Sequence, residues 1–352
     1  MNPFSLQTPA DVPGRLRSRS LALTLSVAAA ALPVLGQEAP RRKCGSNDRY
    51  EEQYRKDASF RTARKQLLSL TQALEAVRAS GRYAERTGPV RIPVVVHVVY
   101  NTDAQNVSDD QIRSQITALN ADYQKLNADV SSVPEPFRSR VGNPLVRFEL
   151  AVRDPDGKPT TGITRTSTTE TEFFYSGPKA DAVKFASRGG HDAWPRDRYL
   201  NLWVCRLGER LLGYASFPGE VPETDGVVIT STGFGTTGTA QQPFDKGRTA
   251  THEIGHWLNL FHIWGDDRGA CTGSDQVRDT PNQAADNANC PTFPHRTCGS
   301  KSTGDMFMNY MDYTDDACMF AFSKGQVVRM EATLAGARLA ITTSDGLTPP
   351  AP

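Results

Sequence analysis

The stretch His252-Glu253-Ile254-Gly255-His256-Trp257-Leu258-Asn259-Leu260-Phe261-His262 decides how the rest of this chain is read. Side chains four apart share one face of a helix, so His252 and His256 can turn imidazole nitrogens toward a single ion. Glu253 sits one residue further round, where it reaches a water on that ion rather than the ion itself. A third ligand is still needed. His262 lies six residues beyond His256, too far to share the face of a continuing helix, so the chain must turn sharply between them. Asn259 stands where that turn begins, and after glycine asparagine best tolerates a left-handed backbone. Three neutral imidazoles and an open fourth position describe a catalytic zinc site, whereas structural sites are usually closed by four protein ligands. The expected chemistry is metal-assisted amide hydrolysis. Zinc acidifies a water and polarises the carbonyl, and Glu253 takes the proton as general base and passes it to the leaving amine.

Far upstream, Arg15, Arg17 and Arg19 precede an apolar run from Leu21 to Leu35, with Val34 and Gly36 just before Gln37. This is the layout of a secretory signal peptide, expected over residues 1–36. About fifteen apolar residues fall short of the roughly twenty that a spanning helix needs. An uncleaved anchor is the competing reading, but no membrane association is expected after the signal is removed. The expected location is therefore secreted and extracellular, where the six cysteines favour disulfides over thiol chemistry. Cys271, Cys290, Cys298 and Cys318 crowd into the last quarter and allow three pairings; Cys44 and Cys205 stand apart. The apolar and charged fractions are those of a soluble globular protein. With 40 basic and 39 acidic side chains, the net charge of +1 gives no support for binding polyanions, and nucleic acid is not an expected partner.

Residues 37–87 are strongly charged and predict helix, with Tyr54, Leu67, Leu68, Leu70, Leu74 and Val77 as a thin apolar stripe. So polar a segment builds little core by itself. It is expected to be a removable pro-segment ending near Arg86 and Gly88, an extra helical layer of the mature protein being the alternative. The β-branched run Ile92–Tyr100 predicts a strand buried on both faces. Ser108 and Gln111 form a capping-box pattern, opening a helix with Ile112, Ile116, Leu119, Tyr123 and Leu126 on one face. Strands are expected at Val146–Val152, Tyr199–Leu207 and Val227–Ser231, with a short edge strand near Gly213–Phe217. The Gly- and Thr-rich stretch Gly233–Gly247 reads as a surface loop. Little regular structure is expected from Trp264 until Ser323 and Gln326, a second capping box, open a helix with Val327, Met330 and Leu334. Residues 342–352 read as a tail that frays from Thr348. The fold class is α/β or α+β, in layers.

Downstream of the histidines, Met308-Asn309-Tyr310-Met311-Asp312-Tyr313 resembles the Met-turn of metzincin peptidases, and the eleven-residue stretch resembles their extended zinc signature with Asn259 in place of the usual glycine. The resemblance implies that Met311 forms an apolar floor beneath the ligands and that Tyr313 hydrogen-bonds the tetrahedral intermediate. Three further stretches, Gly247–His252, Asp275–Pro281 and Phe322–Gln326, look most like the pappalysin family, over roughly Ile92 to Leu339. The family resemblance implies a zincin-like catalytic domain, here 88–341. Its upper half, about 88–262, would hold a twisted mixed sheet and the zinc helix. Its lower half, about 263–341, would be irregular, stapled by disulfides and closed by a C-terminal helix. The same similarity implies the pairs Cys271–Cys298 and Cys290–Cys318.

Arg41-Arg42-Lys43-Cys44-Gly45 resembles the cysteine switch of metzincin pro-segments, in which a thiolate takes the open zinc position. A Cys44–Cys205 disulfide or a lone reactive thiol are the alternatives. Asp266, Asp267, Asp275, Asp279 and Thr280 offer hard oxygens that suit calcium, as the family resemblance also implies, with a merely solvated acidic loop as the other reading. The sites carried forward for calcium are Asp275, Asp279 and Thr280. Leu212–Phe217 resembles the family's edge strand above the cleft, which would bind an extended peptide by backbone pairing. Asp315 and Asp316 would favour a basic side chain on the primed side of the scissile bond. His97, His191 and His295 lack ligand spacing and are expected to be structural or exposed. The expected function is that of a secreted zinc-dependent endopeptidase, made as a zymogen and acting on proteins or peptides. The rivals are an inactive peptidase scaffold used for binding, and a zinc amidase with a non-peptide substrate.

Overall fold

Five valines between Val94 and Val99 favour an extended backbone and leave no polar face to turn outward. The resulting strand β1 (Val90–Tyr100) is accordingly central, with Ile92 to Val99 buried. The computed structural model describes residues 41–83, 86–266, 269–299 and 303–350; the expected signal peptide lies outside them. On one side β1 pairs in parallel with β2 (Val146–Leu150) along its first half and with β3 (Ile163–Ser167) along its second. On the other side it pairs in parallel with β4 (Leu200–Cys205), which pairs with β6 (Val227–Thr230). Antiparallel β5 (Gly213–Ala215) completes the order β2-β1-β4-β6-β5 at the far edge. Strand β3 carries no strand signal in the sequence, because Ile-Thr-Arg-Thr-Ser has no apolar alternation and only half-buries its side chains.

Helix α3 (Asp109–Tyr123) and the histidine helix α5 (Arg248–Trp257) pack on the sheet and on each other, enclosing the largest core between Ile92, Ile112, Leu119, Val204, Ile254 and Met311. Ser108 caps α3 by accepting from the Gln111 amide, but the expected reciprocal bond is absent. The Gln111 side chain donates instead to the carbonyls of Ser231 and Phe234. It thereby ties down the loop expected at the surface, and Phe234 is buried. The short helix α4 (Glu135–Arg138) packs Phe137 against Ile263, Met306 and Met308 of the lower half. There α6 (Lys324–Ala335) opens with the complete Ser323–Gln326 capping box. Disulfides join Cys271 to Cys298 and Cys290 to Cys318, while Cys44 and Cys205 are free thiols. The expected tail is held at least to Pro349. Val152 donates to the Gly346 carbonyl, and Arg153 donates to those of Thr348 and Pro349.

The N-terminal segment forms α1 (Ser46–Lys56) and α2 (Ala58–Ala79), the second capped by Asp57. The expected apolar stripe is out of phase. Leu68, Leu70 and Val77 are exposed, and the buried face of α2 is Phe60, Arg64, Leu67 and Thr71. Counting only apolar residues hides Arg64, whose guanidinium lies over the rings of Tyr50, Phe60, Phe217 and Phe261.

Candidate active site

Helix α5 ends at Trp257, and Asn259 takes the left-handed conformation (φ 78°) that turns the chain back toward the helix. Leu260 then donates to the Gly255 carbonyl, and the Arg329 guanidinium holds the Asn259 carbonyl at 3.0 Å. The turn brings His262 to the other two imidazoles. The Nε2 atoms of His252 and His256 are 3.1 Å apart, and those of His256 and His262 are 3.2 Å apart. Every Nδ1 faces an acceptor: the Tyr310 carbonyl for His252 (2.7 Å), the Leu260 carbonyl for His256 (2.8 Å) and the Asp266 carboxylate for His262 (3.0 Å). With the ring protons on Nδ1, three Nε2 lone pairs face one another with no proton between them. Burial, with the neighbouring rings, holds His252 and His256 well below the ordinary histidine value, so both are neutral. Such a cluster is repulsive unless a cation sits at its centre. A tetrahedral zinc with bonds of about 2.0–2.1 Å sets its nitrogen ligands about 3.3 Å apart, close to the spacing here.

Beneath the imidazoles Met311 is fully buried, against the face of α5 that carries Gly255. Tyr313 packs its ring on His262 (centroids 5.0 Å apart), and Trp264 stacks flat on the same imidazole at 4.4 Å. A sulfur lies beside the three nitrogens. Cys44 Sγ and the three imidazoles form a group whose ligand atoms all lie within 4.8 Å of one another, the only such cluster of three or more His, Cys, Asp or Glu groups among the described residues. Cys44 reaches it because Lys43-Cys44-Gly45 lies along β5. Leu212 N donates to the Lys43 carbonyl and Gly45 N to the Gly213 carbonyl, both at 3.0 Å.

Glu253 is 1 % exposed, and burial pushes its carboxyl up to about 7 against the lowering effect of two hydrogen bonds. Ser46 Oγ donates to it at 2.8 Å and Cys44 Sγ at 3.2 Å. Arg42 donates to Asp316 at 2.6 Å, both side chains essentially sealed from solvent. Asp315, beside it, is half-buried and takes no part in that pair. The acids read for calcium do not converge. Asp266 serves His262, and Asp279 accepts from Ser323 and Gly325 at the start of α6. Asp275 accepts from the Thr280 hydroxyl and the Val277 amide, while Asp267 lies outside the described residues. His97 is buried between Thr164 and Asn201 with its ring stacked on His191.

Residues 187–335 match the family described as pregnancy-associated plasma protein-A. An extracellular metalloprotease of Arthroderma gypseum is 30% identical over 270 residues, covering 74% of this chain and 78% of its own. The chain belongs to the pappalysin family of metzincin peptidases. Its fold is that of mirolysin. Mature mirolysin of Tannerella forsythia, in complex with a cleaved peptide, is 52% identical with a TM-score of 0.72, over 76% of this chain and all of that one. A promirolysin mutant from the same organism is 47% identical with a TM-score of 0.76, over 88% of this chain and all of that one. This pappalysin is accordingly a secreted zinc-dependent endopeptidase made as a zymogen.

In the pappalysin fold of this chain, the three histidines, Glu253, Tyr313, Met311 and Cys44 come together in one cleft. The cleft also holds groups that the sequence does not mark. Ser46 is an inconspicuous serine two residues past Cys44, yet it links Glu253 to β5 by accepting from Ala215 N at 2.8 Å. Asp266 reads from the sequence only as a calcium ligand, although its place four residues after His262 fits a partner for that imidazole.

Proposed function

We propose that His252, His256 and His262 hold the catalytic zinc through Nε2, with Glu253 as general base. The observation that carries this reading is the convergence of three unprotonated ring nitrogens whose outer nitrogens are all engaged. When bound, the metal acidifies water and polarises the scissile carbonyl. The Tyr310 and Leu260 carbonyls and the Asp266 carboxylate fix the orientation of the imidazoles. Glu253, held low in the cleft beside β5, takes a proton from the attacking water and delivers it to the leaving amine. The Tyr313 hydroxyl donates to the oxyanion as it forms. Met311 is the apolar floor that sets the height of the ligands.

Residues 37–87 act as the pro-segment and 88–341 as the catalytic domain. Cys44 blocks the fourth position in the latent state, and its backbone occupies the β5 edge that an extended peptide substrate takes over after activation. Asp316, freed of Arg42, favours a basic side chain next to the scissile bond. Equal kcat/KM for peptides differing only in Arg, Lys or Leu at that position would dispose of this preference. Calcium is proposed at Asp275, Asp279 and Thr280, of which the Thr280 hydroxyl lies 2.9 Å from the Asp275 carboxylate. Asp279 is the weakest member of the expected set, because it is engaged by α6.

The test is Glu253→Ala in activated protein. Casein hydrolysis is expected to fall by about 10³-fold or more while about one zinc per chain is retained. Loss of the metal together with the activity would show that Glu253 holds the ion, and unchanged hydrolysis would remove it from the mechanism.

A further inference from the structure

Five residues past Cys44, the pro-segment makes a second, buried ionic contact with the catalytic domain. Arg49, 6 % exposed in the first turns of α1, donates to Asp181 and, at 2.8 Å, to Glu220. The Glu220 side chain has no solvent exposure, and its other oxygen accepts from the Phe217 amide just beyond β5. Lys184, also buried, sits 3.1 Å from Asp181 and donates to the Thr224 carbonyl. Tyr214 of β5 lies under the Arg49 guanidinium, and its buried hydroxyl makes no hydrogen bond. With Arg49 in place the pocket holds two cations and two anions. Once the pro-segment leaves, Glu220 and Asp181 lose their directly bonded guanidinium; Lys184 remains on Asp181, and Arg338, itself paired with Asp225, acts on Glu220 only at longer range.

We infer that this vacated pocket, formed by Glu220 and Asp181 at the end of β5, is a substrate subsite for an arginine or lysine side chain. Along the N-terminal segment its contact comes after Cys44, as the contact with Asp316 comes before it. The proposal rests on the peptidase reading given above and extends it to a second specificity site.

A latch needed only for latency could be apolar, and would then leave nothing costly behind. Glu220 and Asp181 instead lose a bonded guanidinium at activation, and a buried carboxylate without its hydrogen-bonded partner is stable only if another cation or water takes that place. The pro-segment enters the cleft with Arg42 on Asp316, crosses the cluster at Cys44 and then places Arg49 on Glu220. One bound polypeptide thus meets two acidic pockets, one before Cys44 and one after it. A peptide paired with β5 passes the Phe217 end of that strand, where the Glu220 carboxylate is anchored. The guanidinium shape suits the pocket because its planar donors can bridge two carboxylates while its face rests on the Tyr214 ring.

The test is a position scan with the activated enzyme. Quenched fluorescent peptides share one scissile bond and one residue on its primed side, and carry arginine or the uncharged, near-isosteric citrulline at each of the first five non-primed positions. At one position arginine is expected to raise kcat/KM about tenfold over citrulline. In Glu220→Gln, which keeps an acceptor for the Phe217 amide, that ratio is expected to fall below about twofold. Asp181→Asn is the second variant should the first fail to fold. Cleavage of the whole series with no preference for arginine at any position would overturn the subsite and leave Glu220 and Asp181 as a pro-segment latch. A preference that survives both substitutions would place the subsite elsewhere. Failure to cleave any peptide, with casein also untouched, would instead overturn the peptidase reading on which the subsite rests.

Discussion

A methyl group on residue 255 would sit 2.4 Å from the Met311 sulfur, far inside contact distance. The helix carrying two ligands can rest on its methionine floor only because that position is glycine. Gly255→Ala must therefore push Met311 down or lift α5, and overpacking of this kind typically costs about 1–3 kcal/mol. The expected outcome is a lower urea midpoint together with weaker zinc retention against a chelator; a variant matching the wild type in both would deny the floor its role. At this scale the sequence is most legible where the chemistry is local. His252, Glu253 and His256 follow from helical spacing alone, and Asn259 announces the turn that delivers His262. Ser46, Arg42 and Arg49 are not legible as partners of Glu253, Asp316 and Glu220. Those contacts join residues more than a hundred positions apart, and nothing in local spacing records them.

Among the elements, the Lys43-Cys44-Gly45 stretch laid along β5 is expected to carry the latent state. The backbone bonds around Lys43 and Gly45, the Cys44 sulfur and the Ser46 hydroxyl hold the segment over Glu253, with Arg42 on Asp316 and Arg49 on Glu220 anchoring it to either side in sequence. Cys44→Ala keeps the ladder but removes the sulfur, so the unprocessed variant is expected to cleave a small peptide at a rate at least tenfold above the wild-type zymogen. Equal latency in the two would mean that the backbone alone excludes substrate. Central strand β1 supplies a different prediction. Burial holds His97 down at about 3 from its ordinary 6.5, so the folded state keeps it neutral where the unfolded chain would bind a proton. Its contribution is therefore complete above about pH 6.5 and is lost as pH falls toward 3, by up to about 1.4 kcal/mol per pH unit. In His97→Gln the difference in urea stability between pH 7 and pH 5 is expected to shrink; an unchanged difference would place the titration elsewhere. Strands β1 and β6 are readable from their β-branched runs, and β4 from its apolar residues. Strand β3 and the phase of α2 are not, since one is polar and only half-buried, and the other buries an arginine among aromatic rings.

For the whole molecule, the two halves are stabilised in different ways. The upper half has a sheet with cores on both faces, and the sequence shows it through periodicity. The lower half between His262 and Ser323 has almost no regular structure, so its stability depends on cross-links. The loops closed by Cys271–Cys298 and Cys290–Cys318, 27 and 28 residues apart, are each worth about 3–4 kcal/mol in the chain-entropy model. Calcium at Asp275 and Thr280 would add to this. A chelator that spares zinc is expected to lower the melting temperature of the wild type by roughly 5 °C and that of Asp275→Asn by much less, since binding at 100-fold excess over Kd contributes about 2.7 kcal/mol. An equal fall in both would exclude this site.

The neighbours of a single ion are expected to change on activation, and zinc-edge X-ray absorption on zymogen and processed enzyme reads them out. The zymogen is expected to show three imidazole nitrogens and one sulfur at about 2.3 Å, and the processed enzyme the same nitrogens with the sulfur gone. A zymogen without bound zinc, or one whose zinc has fewer than three imidazoles or no sulfur neighbour, would contradict the account.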